Sequence, residues 1–105
     1  MKNKYILIDD DDLIHQVWKL SAEDRKIDLK TFKSVKEFLN AQEDINSIIC
    51  LDSNLKNEIG ELEAENIYKK GFKKIYLVTA KHSTEIETHK YILEVKGKKP
   101  IWATL

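Results

Sequence analysis

The chain has 105 residues, and its 18 Lys and Arg balance its 18 Asp and Glu, so the formal net charge is zero. A neutral chain has no long-range field that selects nucleic acid or an anionic membrane as a partner. Its single cysteine excludes an internal disulfide, and no apolar run approaches the roughly 18 residues of a membrane span. We therefore expect one globular domain over residues 1–105, located in the cytoplasm, without nucleic acid or membrane as a partner.

Short apolar runs alternate along the chain with segments of helical period, which predicts an α/β fold with a parallel sheet. The first run, Tyr5 to Ile8, stops at four consecutive aspartates. Asp11 or Asp12 is expected to cap the first helix. The apolar residues of this helix recur at three- and four-residue steps and are expected to face the core: Leu13, Ile14, Val17, Trp18 and Leu20.

The middle of the chain continues the alternation of strands and helices. Ile27 to Phe32 is predicted to be the second strand, and the capping box Ser34 to Glu37 is predicted to open the second helix. Ile45 to Leu51 is the most apolar stretch, so we expect it to be the central third strand. Glu61 to Lys70 then predicts a third helix, with Gly71 as its C-cap.

The last third of the chain leaves two interpretations open. Lys74 to Val78 is expected to be the fourth strand, and a second capping box, Thr84 to Glu87, predicts a fourth helix. Beyond residue 90, Tyr91 to Val95 either finishes that helix or forms a fifth strand. Pro100 to Leu105 is either the fifth strand itself or a short segment after it.

Polar residues stand where three of the predicted strands end: Asp9 and Asp10 after the first, Asp52 after the third and Thr79 after the fourth. In an open α/β sheet these carboxyl ends line the crevice where ligands bind, so the side chains should meet in space. Clustered carboxylates repel one another unless a cation lies among them, and oxygen ligands suit Mg²⁺. The sequence therefore predicts a site for a divalent metal such as Mg²⁺ together with a phosphate group.

This set of residues resembles the receiver domain of bacterial two-component response regulators. Asp9 and Asp10 match the acidic pair of that family, and Asp52 matches its phosphoacceptor. Gly60 lies eight residues beyond Asp52, as the family's loop glycine does, and Thr79 before a small residue matches its switch threonine. The ordered set, on the expected elements, carries the resemblance.

The resemblance extends over residues 4 to 80 and implies a flavodoxin-like, doubly wound sheet of five parallel strands in the order 2-1-3-4-5. The fifth helix is expected to be missing or shortened. The family also carries a lysine, normally before a proline, at the end of the fifth strand. We assign it to Lys99, before Pro100, with Lys96 as the alternative; if residues 100–105 are the fifth strand, the lysine is absent.

The resemblance also implies a function, that of a stand-alone receiver in a phosphorelay and not an enzyme. Asp52 would accept a phosphoryl group from a histidine kinase or phosphotransfer protein, and the signal would pass to an output protein by direct binding. Mg²⁺ is the implied cofactor, held by Asp52, the acidic pair and the main-chain carbonyl of Asn54. Thr79 and Lys99 would contact the phosphoryl group.

The main alternative is a pseudo-receiver, an interaction module that keeps the fold and the acidic pocket without a productive switch. A phosphatase of the haloacid dehalogenase class is disfavoured because it needs Asp-x-Asp on its first strand, whereas Asp52-Ser53-Asn54 ends the third.

Without a fifth helix, an apolar face of the sheet needs a cover. The expected contact surface for a homodimer or a partner protein is the tail, Pro100 to Leu105, together with the neighbouring face of the first helix, including Val17 or Trp18. His15 is expected to lie on an exposed face.

Overall fold

A computed structural model describes residues 3–55, 58–79 and 91–103 of the chain. The strands in these residues are β1 (Lys4–Ile8), β2 (Asp28–Phe32), β3 (Ile48–Asp52), β4 (Asn54–Leu55), β5 (Glu58–Ile59), β6 (Ile75–Val78) and β7 (Glu94–Lys96). The helices are α1 (Asp12–Arg25), α2 (Val35–Asn40), α3 (Gly60–Lys69) and a 3-10 helix (Ile101–Ala103). Among these described helices, none has the length and apolar character needed to cross a bilayer.

Five strands form one parallel sheet in the order β2-β1-β3-β6-β7, while β4 and β5 pair separately as an antiparallel hairpin. Counted within the sheet alone, the order is the predicted 2-1-3-4-5 of the flavodoxin-like fold. The central strand begins three residues later than predicted because Asp44 closes a turn before it. The side chain of Asp44 accepts from the amide N–H of Asn46 at 2.9 Å, and its carbonyl accepts from that of Ser47 at 3.0 Å.

Two cores lie on the two faces of the sheet, and the alternation of β1 shows how they form. Ile6 and Ile8 point into the larger core, which α2 and α3 cover, whereas Leu7 points into the smaller core against α1. All three side chains are completely buried. A parallel sheet covered on both faces needs such continuous apolar strands, and this is why β1 and β3 have few polar residues before their ends.

Helix α1 has the predicted start but a different inward face. Asp11 caps it by accepting from the backbone N–H of Leu13 at 2.9 Å. Trp18 is fully buried, but Leu13, Val17 and Leu20 are 64%, 45% and 68% exposed, so the expectation that they face the core is wrong. At 3.6 residues per turn these three residues share a second stripe of the helix. The stripe that faces the sheet includes Trp18 instead.

The C-terminal segment resolves the two interpretations of the fifth strand. The strand is β7, which overlaps Tyr91 to Val95, and residues 101–103 form the 3-10 helix instead of a strand. After β7, this short helix stands at the place of the fifth helix, which was expected to be missing or shortened. The predicted fourth helix, from Thr84, lies outside the described residues.

The tail folds back on its own sheet. Trp102 is 7% exposed, and its ring lies edge-on to Tyr5 and Trp18, with centroids 5.0 and 5.3 Å away. Its indole N–H donates to the hydroxyl of Ser21 at 2.8 Å. The expectation that Trp102 and Trp18 form an exposed contact surface is therefore wrong, because each covers the other, whereas Val17 remains exposed.

A cluster of opposite charges ties the segment after α2 to the sheet. The carboxylate of Glu43 is 5% exposed and forms ion pairs with Lys4 and, at 2.7 Å, with Lys30. Hydrogen bonds from Lys30 and then Lys4 hold the pKa of Glu43 below its usual range, although burial opposes them. This segment is therefore joined to β1 and β2 by charges that depend on pH.

Candidate metal and phosphoacceptor site

The first acidic pair lies in the turn between β1 and α1. Asp9 is completely buried, whereas Asp10 is exposed. The amide N–H of Asp9 donates to the carbonyl of Phe32 at 3.0 Å, which extends the pairing with β2 by one residue. One carboxylate oxygen of Asp9 accepts from the amide N–H of Asp11 at 2.9 Å. The turn therefore holds the Asp9 carboxylate at the end of the sheet.

Asp52 is the last residue of β3, between β1 and β6, and it is 3% exposed. Because these strands are parallel, their carboxyl ends meet at one edge. One carboxylate oxygen from each of Asp9, Asp10 and Asp52 lies within 4.8 Å of the others. The structure thus brings together the three acidic side chains that the sequence singled out.

Lys98 reaches into this cluster two residues after β7 ends. Its ammonium group donates to Asp9 and Asp52, and both distances are 2.7 Å. The sequence assigned this position to Lys99, with Lys96 as the alternative, and the structure corrects both assignments. Lys99 is exposed, and the Lys96 ammonium lies 3.5 Å from Glu94.

The charges in the cluster act on one another. Burial raises the pKa of Asp9, and the charge of Asp52 adds to this effect, although Lys98 and the Asp11 amide oppose it. Burial by itself would lower the pKa of Lys98, but the hydrogen bonds to Asp52 and Asp9 outweigh burial and raise it. Lys98 is therefore an ammonium ion at neutral pH, and one positive charge faces three carboxyl groups.

These residues fit a hard divalent cation. The donor atoms are carboxylate oxygens, which Mg²⁺ prefers, and the exposed Asp10 leaves the cluster open to solvent on one side. Mg²⁺ usually takes one or two protein carboxylates and keeps several waters, so the three side chains suffice. The backbone of Asn54 begins β4 two residues beyond Asp52, close in sequence to the cluster.

A pair of hydroxyl groups borders the acidic cluster. Thr79 directly follows β6 and is 4% exposed, and its amide N–H donates to the carbonyl of Lys96 at 2.9 Å. Its hydroxyl oxygen accepts from the hydroxyl of Ser53 at 2.7 Å. No role was predicted for Ser53, although its place directly after Asp52 could have suggested one.

His15 lies behind the acidic turn, so the expectation that it is exposed is wrong. It is 7% exposed, and its Nε2 is hydrogen-bonded to the main-chain carbonyl of Asp9. A carbonyl only accepts, so this nitrogen carries the proton. One turn of α1 is thereby fastened to the turn that positions Asp9.

Comparison with models of protein families and with curated proteins finds no match. Solved structures do match. The response regulator TrrA from Thermotoga maritima, in complex with Mg(2+)-BeF, has a TM-score of 0.77 at 22% identity, over 92% of this chain and 86% of that one. The receiver domain of the Francisella response regulator 1452 has a TM-score of 0.68 at 25% identity, over 80% and 71% of the two chains.

The response regulator StyR matches 93% of this chain with a TM-score of 0.76 at 17% identity. This chain spans 52% of the length of StyR. The strand order, the helices on both faces of the sheet and these superpositions all indicate the same fold. The chain therefore has the fold of the receiver domains found in response regulators.

Proposed function

We propose that this chain accepts a phosphoryl group on Asp52 from a histidine kinase or a phosphotransfer protein, in a reaction that depends on Mg²⁺. The observation that carries the proposal is the position of Asp52. Its carboxylate is buried at the end of the central strand, beside Asp9 and Asp10, and Lys98 holds it at 2.7 Å. The receiver fold supports the same function.

The reacting atom is a carboxylate oxygen of Asp52. It forms a bond to phosphorus while the bond from phosphorus to the donor's imidazole nitrogen breaks, and the released imidazole takes a proton from water. Phosphoryl transfer requires positioning and charge stabilisation more than covalent catalysis. The burial and hydrogen bonding of Asp52 supply that positioning, because they restrict the directions in which its oxygens point.

Asp9, Asp10, Asp52 and the main-chain carbonyl of Asn54 are proposed to hold Mg²⁺, with Asp9 acting through a water molecule. When bound, Mg²⁺ neutralises charge on the phosphoryl oxygens and orients the group. The oxygen donor set supports this assignment. The complex of TrrA with Mg(2+)-BeF also supports it, since TrrA has the same fold at 22% identity.

Lys98 and Thr79 are proposed to recognise the phosphorylated state. Lys98 already lies at hydrogen-bonding distance from Asp52, so its ammonium can pair with an added phosphoryl oxygen as a point charge. The hydroxyl of Thr79, which accepts from Ser53, would donate its own hydrogen to a phosphoryl oxygen. These new hydrogen bonds would change the structure locally, at the end of β6, where Thr79 lies, and in the segment after β7, where Lys98 lies.

The output is proposed to be protein binding. Leu13, Val17 and Leu20 give α1 an exposed apolar stripe, and contiguous apolar surface of this kind marks interaction sites. A partner protein or a second copy of this chain would cover it. Either partner would lie next to the acidic turn, since α1 begins three residues after Asp9.

The test is treatment with acetyl phosphate and Mg²⁺, followed by intact mass measurement. The wild type should gain one acid-labile phosphoryl group, and Asp52→Asn should gain none. Removal of the metal with a chelator should stop the reaction in the wild type. A wild-type mass that stays unchanged after prolonged treatment would contradict the proposal and favour the pseudo-receiver.

A further inference from the structure

We infer that Trp18 is a positioning residue for Lys98, and that the two residues couple the carboxylate cluster to the C-terminal 3-10 helix. The role of this coupling in signalling rests on the proposed function, but the coupling itself does not. It would make the 3-10 helix the element that reports whether the cluster is occupied.

The first link is a hydrogen bond between residues 80 positions apart. The indole N–H of Trp18 donates to the main-chain carbonyl of Lys98 at 2.9 Å, and the side chain of Trp18 is completely buried. A buried donor that loses its partner is costly because water does not replace it. The backbone of Lys98 is therefore held by α1 while its ammonium is held by Asp9 and Asp52.

The second link joins Trp18 to the tail. The ring of Trp102 stands edge-on to that of Trp18, with an angle of 81° between the planes. The indole N–H of Trp102 donates to Ser21, and the guanidinium of Arg25 donates to the carbonyl of Trp102 at 3.5 Å. The 3-10 helix thus rests on α1 through the side chain that also holds Lys98.

A change at the carboxylates therefore has a defined route to the tail. A cation among Asp9, Asp10 and Asp52 competes with the ammonium of Lys98 for the same oxygens. When the ammonium moves away from these oxygens, the hydrogen bond between the Lys98 carbonyl and the Trp18 indole N–H changes with it. The change thereby reaches the side chain of Trp18. Coupling of this kind is reciprocal, so loosening the Trp18 bond must also change the affinity of the cluster for a cation.

The first experiment needs no ligand and measures hydrogen exchange of the indole N–H groups by NMR. The chain has two tryptophans and so gives two signals, which Trp102→Phe assigns. Lys98→Met should shift the Trp18 signal and speed its exchange at least about threefold. Lys99→Met, which changes an exposed neighbour, should leave it unchanged. Equal behaviour of the two variants would overturn the inference.

The second experiment replaces Trp18 with benzothienylalanine, in which sulfur stands in place of the indole N–H and the ring keeps its shape. With Lys98 less firmly held, Mg²⁺ should bind about two- to tenfold more tightly by NMR titration, as expected for the loss of one hydrogen bond. Gln16→Ala, which changes an exposed, uncharged side chain of the same helix outside this route, is the control and should stay within about twofold of wild type.

The two experiments separate this inference from the proposed function. Mg²⁺ affinity that is equal in the wild type and the Trp18 analogue would overturn the positioning role, even if Asp52 is phosphorylated. If Mg²⁺ fails to bind the wild type, the metal part of the proposed function fails, and the comparison of Lys98→Met with Lys99→Met still decides the coupling. A Trp18 signal that moves in Lys98→Met and not in Lys99→Met supports the coupling in either case.

Discussion

Replacing Trp102 with alanine tests whether the tail belongs to the core. The side chain is 7% exposed, contacts the rings of Tyr5 and Trp18, and donates a hydrogen bond to Ser21. Truncation of a buried aromatic residue to alanine costs about 3–5 kcal/mol. A domain of this size has an unfolding free energy of about 5–15 kcal/mol, so Trp102→Ala should remove a large part of it. At about 4–8 °C per kcal/mol, the melting temperature should fall by roughly 12 °C or more.

The assay is equilibrium unfolding in urea, followed by far-ultraviolet circular dichroism. Leu20→Ala is the matched control, because Leu20 also lies on the α1 side of the sheet but is 68% exposed. Its unfolding free energy should stay within about 0.5 kcal/mol of the wild type. If Trp102→Ala loses less than about 1 kcal/mol, the tail is not part of the core and this reasoning is refuted.

Three further predictions concern separate parts of the molecule. Because Lys30 and Lys4 lower the pKa of Glu43, their pairing stabilises the fold above the carboxyl's ordinary pKa of 4.5 and is lost as pH falls through the lowered value. The unfolding free energy should therefore fall more steeply on acidification in the wild type than in Glu43→Gln, and equal slopes would contradict this. Ser34→Ala removes the cap that accepts from the third residue of α2 at 3.0 Å and should cost about 1 kcal/mol in urea unfolding, whereas no loss would mean that solvent replaces the cap. Thr79→Ala should still gain a phosphoryl group by intact mass, since the reacting oxygen is on another residue; an unphosphorylated variant would give the hydroxyl a part in the chemistry.

The strand order and the acidic cluster could be predicted from the sequence because both follow local rules. Apolar runs predict strands, and parallel strands bring their carboxyl ends to one edge, so Asp9 and Asp52 meet although they are 43 positions apart in the sequence. Lys98 could not be chosen in this way. It lies beyond the end of β7, and its backbone is held by Trp18, a contact between residues 80 positions apart that no local pattern contains.

The prediction of which face of α1 packs on the sheet was also wrong, and the reason lies in the helix sequence. Apolar residues occupy two stripes of this helix, and the period alone does not say which stripe faces the sheet. The buried stripe contains His15, whose polar ring is accommodated by the main-chain carbonyl of Asp9. That acceptor lies in the turn before the helix and exists only in the folded chain. The stripe with Leu13 and Leu20 is left exposed.

The measurement that tests the central claim most directly is the identification of the residue that carries the phosphoryl group. Borohydride reduces an aspartyl phosphate to homoserine, which peptide mass spectrometry locates in the sequence. After treatment with acetyl phosphate and Mg²⁺, homoserine should stand at position 52, and the Asp9 and Asp10 side chains should be intact. Homoserine at position 9 or 10, or at no aspartate, would contradict the assignment of Asp52 as the phosphoacceptor.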